Sequence, residues 1–169
     1  CLNCGCVAVI CSDLAPALVA LGARVRTTSR TLEAGDLFAA RVSGTTVLER
    51  GEIVTGIDLP APPPGARQRY LKFRVRNSID FPLASVAIVA SLRRGRVESA
   101  RIVLGAVAPV PVRAREAEDW LVGRKLDAGA AETASGLAVR GASPLSMNGY
   151  RVHVLRTLVR RSLADLASG

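Results

Sequence analysis

Four prolines fall within residues 60–65, and this run constrains the fold more than any other feature of the sequence. Proline fixes φ and lacks a backbone donor, so neither a helix nor the interior of a sheet continues through such a run. The run therefore predicts a boundary between two units, residues 1–60 and residues 66–169. With 49% hydrophobic residues, the chain has enough apolar material for a packed core.

The first unit shows a helix signal close to its start. Ser12 and Asp13 precede apolar residues at helical spacing, and Gly22 follows them, which predicts a helix over residues 13–21. Hydrophobic alternation and turn residues predict the rest of the unit. Residues 23–27 are predicted to form a strand. Residues 31–38 are predicted to be a turn leading into a short helix or loop, and residues 52–59 a second strand.

The second unit begins with three apolar, β-branched runs and ends with three amphipathic segments. Gly95 lies in a tight turn between two of the runs, which predicts a three-stranded antiparallel meander over residues 69–76, 83–92 and 97–107. Helical spacing then predicts three helices, at residues 112–121, 127–140 and 150–166, with Asp127 as the cap of the second. The whole chain is expected to belong to the α+β class, with this sheet packed on a three-helix bundle.

The formal net charge of +9 raises the question of a nucleic-acid partner. The basic residues are scattered, and few aromatic side chains lie among them to stack on bases, so a nucleic-acid partner is not expected. Acidic partner subunits or a general bias toward Arg explain the charge better. No apolar run reaches the length of a membrane span, and no secretion signal is evident, so a cytoplasmic location is expected.

Several stretches together resemble one protein family. They are CVAVICSDLAPAL at residues 6–18, YLKFRVRNSIDFPL at 70–83, LGAVAPVPVRAREAE at 104–118, PLSMNGY at 144–150 and LVRRSL at 158–163. In this order and spacing they resemble the C-terminal portion of the FAD-binding (medium or beta) subunit of molybdenum hydroxylases. That family includes xanthine dehydrogenase, CO dehydrogenase and 4-hydroxybenzoyl-CoA reductase.

The resemblance implies a fold and a function. Residues 1–60 would be the end of an α/β FAD-binding lobe, and residues 66–169 a CO dehydrogenase flavoprotein-like C-terminal domain. The family's first FAD-binding lobe has no counterpart in the sequence. FAD would relay electrons between [2Fe-2S] clusters on a small subunit and an external carrier, while a large subunit holds the molybdenum cofactor. A xanthine dehydrogenase or 4-hydroxybenzoyl-CoA reductase type of oxidoreductase is expected.

Three residues match positions that bind FAD in this family. Asp13 either caps the predicted helix, which its spacing alone favours, or binds the cofactor, which the resemblance favours. Lys72 either lies on a solvated strand face or stands near the flavin, where a cation stabilises the anionic reduced ring. Val54 matches a position whose backbone approaches the flavin, and otherwise is a plain strand residue. Asp80 could orient Lys72 or Arg74, but an Asp that forms a turn is more common.

Four cysteines stand near the start of the chain, at positions 1, 4, 6 and 11. Their compact spacing is not a standard ferredoxin or zinc pattern. Cys6 and Cys11 resemble a Cys-x4-Cys of the 4-hydroxybenzoyl-CoA reductase branch, which implies a possible [4Fe-4S] cluster. Free buried thiols are the favoured alternative, and disulfides are not expected.

No residue set in the sequence supports hydrolytic catalysis. His153 is the only histidine, and no Ser/His/Asp arrangement accompanies it. No catalytic residue is therefore assigned to this chain. The alternative function is a non-catalytic module that docks onto partner subunits and binds no flavin by itself.

Overall fold

The computed structural model of the chain describes residues 8–41 and 44–168. Those residues form four helices and nine strands. The strands are β1 (Arg24–Thr27), β2 (Thr31–Glu33), β3 (Phe38–Arg41), β4 (Gly44–Thr46), β5 (Val54–Asp58), β6 (Ala66–Phe73), β7 (Ala84–Arg93), β8 (Arg96–Gly105) and β9 (Val112–Arg113). The helices are α1 (Leu14–Leu21), α2 (Arg115–Leu121), α3 (Ala128–Ala138) and α4 (Tyr150–Ser168).

The largest sheet is antiparallel and has the order β6-β7-β8-β9. The predicted meander is confirmed as its first three strands. The two-residue strand β9 is an addition, and it corrects the predicted helix start at Val112. Val112 and Arg113 pair with Leu104 and Val103 of β8, so the chain stays extended there and α2 begins only at Arg115.

A two-residue turn joins β7 to β8. Its residues, Arg94 and Gly95, both have positive φ, at 50° and 74°. Two successive positive φ values are the mark of a type I′ turn, whose twist matches that of antiparallel strands. The tight turn predicted around Gly95 is therefore confirmed.

Both faces of the large sheet are covered. One face packs against α2, α3 and α4, and the other against α1. The central strand β7 is accordingly buried at nearly every position, and its apolar run shows no alternation. The α+β class is confirmed, and α1 shares a core with the large sheet across the predicted boundary.

The helices follow from their caps and apolar stripes. The Asp127 carboxylate accepts a hydrogen bond from the Ala130 backbone N–H at 2.9 Å and caps α3, as predicted. The long helix α4 buries Leu155, Val159 and Leu163, which recur at helical spacing. Truncation of one such buried Leu to Ala would cost about 2–5 kcal/mol.

The first unit contains more strand than the sequence predicts. Thr31–Glu33 pairs with β1 and Phe38–Arg41 pairs with β4. The turn predicted from residue 31 is therefore a strand at its start and a turn only over residues 34–37. The short helix or loop predicted over residues 36–38 is wrong at residue 38, where β3 begins. The strand predicted over residues 52–59 is present as β5, which pairs with the other edge of β1.

The proline segment, which the sequence predicts to be a boundary between two units, lies against β7. The Ser91 hydroxyl donates a 2.6 Å hydrogen bond to the Pro64 carbonyl, and the Leu92 N–H donates to the Gly65 carbonyl at 3.1 Å. Gly65 has φ of +70°, and a Cβ there would lie 2.5 Å from the Leu92 carbonyl oxygen. Only glycine fits this position, because both the backbone angle and the close approach exclude a side chain.

Candidate functional site

The start of α1 determines where the Asp13 side chain lies. The Ser12 hydroxyl accepts a hydrogen bond from the Ala15 N–H at 3.1 Å, while Asp13 makes no side-chain hydrogen bond to the helix. Asp13 occupies the N-cap position of α1, but its side chain does not cap the helix, because the Ser12 hydroxyl binds the free N–H instead. The Asp13 carboxylate is left available for other partners.

Those partners come from β6, on the other side of the proline segment. One Asp13 carboxylate oxygen accepts a 2.9 Å hydrogen bond from the Tyr70 hydroxyl, and the other accepts a 2.7 Å bond from the Lys72 ammonium. Tyr70 and Lys72 are two residues apart on a strand, so their side chains share one face. The Lys72 side chain is only 15% exposed, whereas that of Asp13 is 48% exposed and open to a ligand.

Tyr70 is held in its protonated form. Burial is the main cause that raises the pKa of Tyr70 to about 12, and the hydrogen bond to Asp13 and its negative charge raise it further. The nearby Ser85 hydroxyl lowers the pKa in part. At neutral pH the phenol is therefore a hydrogen-bond donor, as its contact with a carboxylate requires.

Ser85 forms the buried floor behind this cluster. It pairs with Lys72 in the β6–β7 ladder and with Gly105 in the β7–β8 ladder. The Ser85 hydroxyl lies close enough to lower the pKa of Tyr70. Within residues 8–41 and 44–168, however, no group lies at the distance and angle of a normal hydrogen bond to it. A Cβ on Gly105 would lie 2.4 Å from the Ser85 Oγ and 3.0 Å from Pro16. Glycine at position 105 therefore lets α1 approach the sheet closely.

The donor set fits a planar heterocycle with alternating acceptors and donors on its edge. A half-exposed carboxylate accepts from an N–H or a ribose hydroxyl, and an adjacent ammonium donates to carbonyl oxygens and compensates negative charge. The pyrimidine edge of a flavin presents this combination. Asp13 and Lys72 are thus chemically suited to hold FAD, the cofactor that the sequence resemblance implies.

The third predicted site residue stands apart from this pair. Val54 is the first residue of β5 and pairs with Thr27 of β1, in the three-stranded sheet β2-β1-β5. Val54 is 40% exposed. Within the described residues, no hydrogen bond joins it to Asp13 or Lys72. The role of the Val54 backbone therefore stays a prediction.

Asp80 forms a turn and does not orient Lys72. Its carboxylate accepts hydrogen bonds from the Val75 N–H at 3.1 Å and the Arg76 N–H at 2.8 Å. The bond from the Arg76 N–H is the main cause that holds the pKa of Asp80 below its usual range, and the Arg76 charge adds to it. The commoner of the two expected roles is the one found.

The cysteines show no cluster site in the described part of the chain. Cys11 is a half-buried free thiol. No group of three or more potential metal ligands occurs within residues 8–41 and 44–168. The other three cysteines, Cys1, Cys4 and Cys6, lie outside the described residues. The [4Fe-4S] prediction therefore gains no support.

Sequence reasoning identified Ser12 and Asp13 together as the N-cap of α1, but it missed Tyr70 as a partner of Asp13. The alternation over residues 69–76 already placed Tyr70 on the same strand face as Lys72, and that signal was sufficient to find it. No comparable sequence signal pointed to Ser85, because an apolar run surrounds it.

Comparison with known families gives a match over residues 69–166. The matching family is described as the CO dehydrogenase flavoprotein C-terminal domain. The matched segment contains Tyr70, Lys72, Ser85 and Gly105, and excludes Asp13. The match therefore covers the C-terminal sheet and helices of this chain.

Individual proteins resemble a larger part of the chain. The nicotine 6-hydroxylase medium subunit of Paenarthrobacter nicotinovorans is 35% identical over 140 residues, which are 80% of this chain and 48% of the relative. The carbon monoxide dehydrogenase medium chain of Afipia carboxidovorans is 34% identical over 122 residues, 70% of this chain and 42% of the relative. The xanthine dehydrogenase FAD-binding subunit of Escherichia coli O157:H7 is 23% identical over 127 residues, 72% and 44% of the two chains.

A solved structure shows the same fold. Quinoline 2-oxidoreductase from Pseudomonas putida 86 superposes with a TM-score of 0.82 at 28% identity, over 94% of this chain and 56% of that one. The chain spans about half the length of the curated relatives it matches. Within residues 8–41 and 44–168, no helix combines the length and the hydrophobicity that crossing a membrane requires.

Proposed function

Because the chain belongs to the family of the CO dehydrogenase flavoprotein C-terminal domain, we propose that it is part of an FAD-binding electron-transfer subunit of a molybdenum-containing oxidoreductase. The contact between Asp13 and Lys72 is the observation that carries this proposal. It joins two residues that match FAD-binding positions, and they come from different units of the chain. Residues 1–60 would complete the flavin lobe and residues 66–169 the C-terminal domain.

The partners follow from the same proposal. A small subunit would carry [2Fe-2S] clusters and a large subunit the molybdenum cofactor, with FAD exchanging electrons between the clusters and an external carrier. Relatives named as medium subunits or medium chains support an assembly of several subunits. The cytoplasmic location stays a prediction.

The reaction type is proposed only as that of a molybdenum hydroxylase or dehydrogenase. The relatives named for nicotine and carbon monoxide oxidation are 35% and 34% identical, whereas the xanthine dehydrogenase subunit is 23% identical. These values do not favour the xanthine dehydrogenase or 4-hydroxybenzoyl-CoA reductase type that the sequence suggested. The substrate belongs to the large subunit, so this chain does not select it.

Each site residue has a distinct role in this proposal. Asp13 accepts a hydrogen bond from the cofactor and so fixes its orientation. The Lys72 ammonium favours the anionic reduced state of the ring and so raises its reduction potential. The Val54 backbone would border the ring. The flavin itself, when bound, accepts and donates electrons one or two at a time.

The alternative function, a docking module without flavin, has no specific observation in its favour. Such a module would need neither a carboxylate nor an ammonium at a half-exposed surface. The Lys72 side chain is only 15% exposed, and its charge is compensated by the half-exposed Asp13 carboxylate, an arrangement to which a cofactor site gives a role. The FAD-binding function therefore explains the site better.

The test uses the full-length protein purified with its partner subunits. Asp13→Asn and Lys72→Met remove one charge each, and Asp36→Asn and Lys125→Met are matched controls at sites outside this contact. Loss of a charged hydrogen bond should weaken FAD binding by about tenfold. Lys72→Met should also lower the flavin midpoint potential. Unchanged FAD affinity and potential in both site variants would contradict the proposed site.

A further inference from the structure

We propose that Tyr70 is a positioning residue of this site, which holds the Asp13 carboxylate in the orientation that meets the cofactor. The inference rests on the proposed FAD-binding function and adds to it a residue that neither the resemblance nor the comparisons assign. Tyr70 acts through Asp13, and its own contact with the cofactor is not required.

The first argument is that, among residues 8–41 and 44–168, only Tyr70 and Lys72 donate hydrogen bonds to the Asp13 carboxylate. The nearest helix N–H that it could cap, that of Ala15, is already bonded to Ser12. Tyr70 binds one carboxylate oxygen and Lys72 binds the other. Two bonds to different oxygens fix the rotation of the carboxylate, whereas one bond would leave it free to turn about the Lys72 contact.

The second argument is that Tyr70 is itself held firmly. The residue is 36% exposed, so most of it is covered, and it pairs with Ala87 of β7. A tyrosine side chain has only two rotatable bonds before its hydroxyl, so it loses little entropy when it holds another group. Lys72 reaches the same carboxylate over a longer and more flexible chain. Tyr70 is therefore the stiffer of the two anchors.

The third argument concerns charge. The neutral Tyr70 hydroxyl donates a hydrogen bond to Asp13, so one of the two carboxylate oxygens is satisfied without a cation. Lys72 consequently neutralises less of its own charge against Asp13 and retains more for the cofactor. Removal of the Tyr70 hydroxyl should tighten the Asp13–Lys72 pair and so lower the flavin potential, in the same direction as loss of Lys72.

The experiment compares Tyr70→Phe with Tyr150→Phe in the full-length protein with its partner subunits. These are the two tyrosines of the chain, and both changes remove one hydroxyl while keeping the ring. FAD affinity is measured by titrating FAD into the deflavinated protein, and the midpoint potential by spectroelectrochemistry. Tyr70→Phe should weaken FAD binding about tenfold and lower the potential, and Tyr150→Phe should change neither.

A double variant separates positioning from plain packing. If Tyr70 acts through Asp13, then Tyr70→Phe should have no further effect on FAD affinity in the Asp13→Asn background. Equal losses in the wild-type and Asp13→Asn backgrounds would overturn the inference, because the hydroxyl would then act independently of Asp13. The same holds if the potential does not move.

The outcome also distinguishes this inference from the proposed function. If Asp13→Asn and Lys72→Met weaken FAD binding while Tyr70→Phe does not, the positioning role is wrong and the FAD site stands. If none of the three variants alters FAD affinity or potential, both the inference and the site assignment fail.

Discussion

The Lys72 ammonium lies 2.7 Å from the Asp13 carboxylate, although 59 positions of sequence separate the two residues. Asp13 directly precedes α1, and Lys72 lies on β6, so the contact depends on the packing of α1 against the large sheet. The Asp13–Tyr70–Lys72 cluster therefore joins residues from both sides of the proline segment. Neither residues 1–60 nor residues 66–169 contain the whole cluster.

The raised pKa of Tyr70 predicts a loss of stability at high pH. The phenol titrates at about 12 in the folded chain against an ordinary value of 10.0, so the unfolded chain releases its proton first. The contribution of Tyr70 is fully present below pH 10 and is lost as the pH rises to about 12. Denaturant unfolding across this window should show a steeper decline in wild type than in Tyr70→Phe. Equal slopes in the two proteins would contradict the prediction.

The lowered pKa of Glu52 predicts that the folded chain loses stability at low pH. Its pKa is lowered from 4.5 to about 2, first by the hydrogen bond from Arg30, then by those from the Glu49 N–H and the Thr27 hydroxyl. The folded chain therefore keeps this carboxylate charged after the unfolded chain has taken up a proton. Its stabilising contribution is present above pH 4.5 and is lost as the pH falls toward 2.

Glu52→Gln should make the free energy of unfolding less dependent on pH in that acidic range. The matched control is Glu33→Gln, which breaks the exposed pair between Glu33 and Arg24, 3.6 Å apart. The control should leave the pH dependence close to that of wild type. An identical change in both variants would show that Glu52 has no special role.

Glu118 should be among the residues on which the stability of the second unit depends most. Its side chain is 4% exposed and accepts hydrogen bonds from the Ile102 N–H at 2.8 Å and from the Arg113 guanidinium. Glu118→Ala leaves a buried N–H and a partly buried cation unpaired, which should cost about 3–5 kcal/mol. Glu116→Ala removes an exposed pair with Arg140 and should cost no more than about 1 kcal/mol. Urea unfolding measures both, and similar losses would count against the prediction.

Gly65 and Gly123 provide a matched pair of left-handed positions, with φ of +70° and +79°. At Gly123 a Cβ would meet nothing within 4 Å, so Gly123→Ala should cost only the backbone strain, about 1–2 kcal/mol. At Gly65 the Cβ would press on the Leu92 carbonyl, which should add about 1–3 kcal/mol. Thermal unfolding should give Gly65→Ala a clearly lower melting temperature than Gly123→Ala. The reverse order would mean that the linker moves away from β7 freely.

The elements that the sequence predicted best have strong local signals. The Arg94–Gly95 turn and the Asp127 cap are each specified by residues within one turn of the chain, and both are confirmed. The short strands β3, β4 and β9 carry no comparable signal. Each has at most four residues, and its pairing depends on a partner strand rather than on its own alternation. This is why the predicted helix began too early, at Val112.

The candidate site was only partly predictable for the same reason. Asp13 and Lys72 were found through family resemblance, since neither has a local pattern that distinguishes a ligand from a cap or a solvated strand residue. The choice between Ser12 and Asp13 as the cap depends on which side chain finds a stronger partner elsewhere. Tyr70 and Lys72 offer that partner to Asp13, and they become neighbours only in three dimensions.

The proline segment is held in place by its hydrogen bonds to β7. The bond from Ser91 to Pro64 lies near one end of β7, while Ser85, which pairs with Lys72, lies near the other end, roughly 20 Å away along a strand. Both contacts lie on one strand of the large sheet, so the proline segment is anchored to the strand that pairs with Lys72 along the β6–β7 ladder.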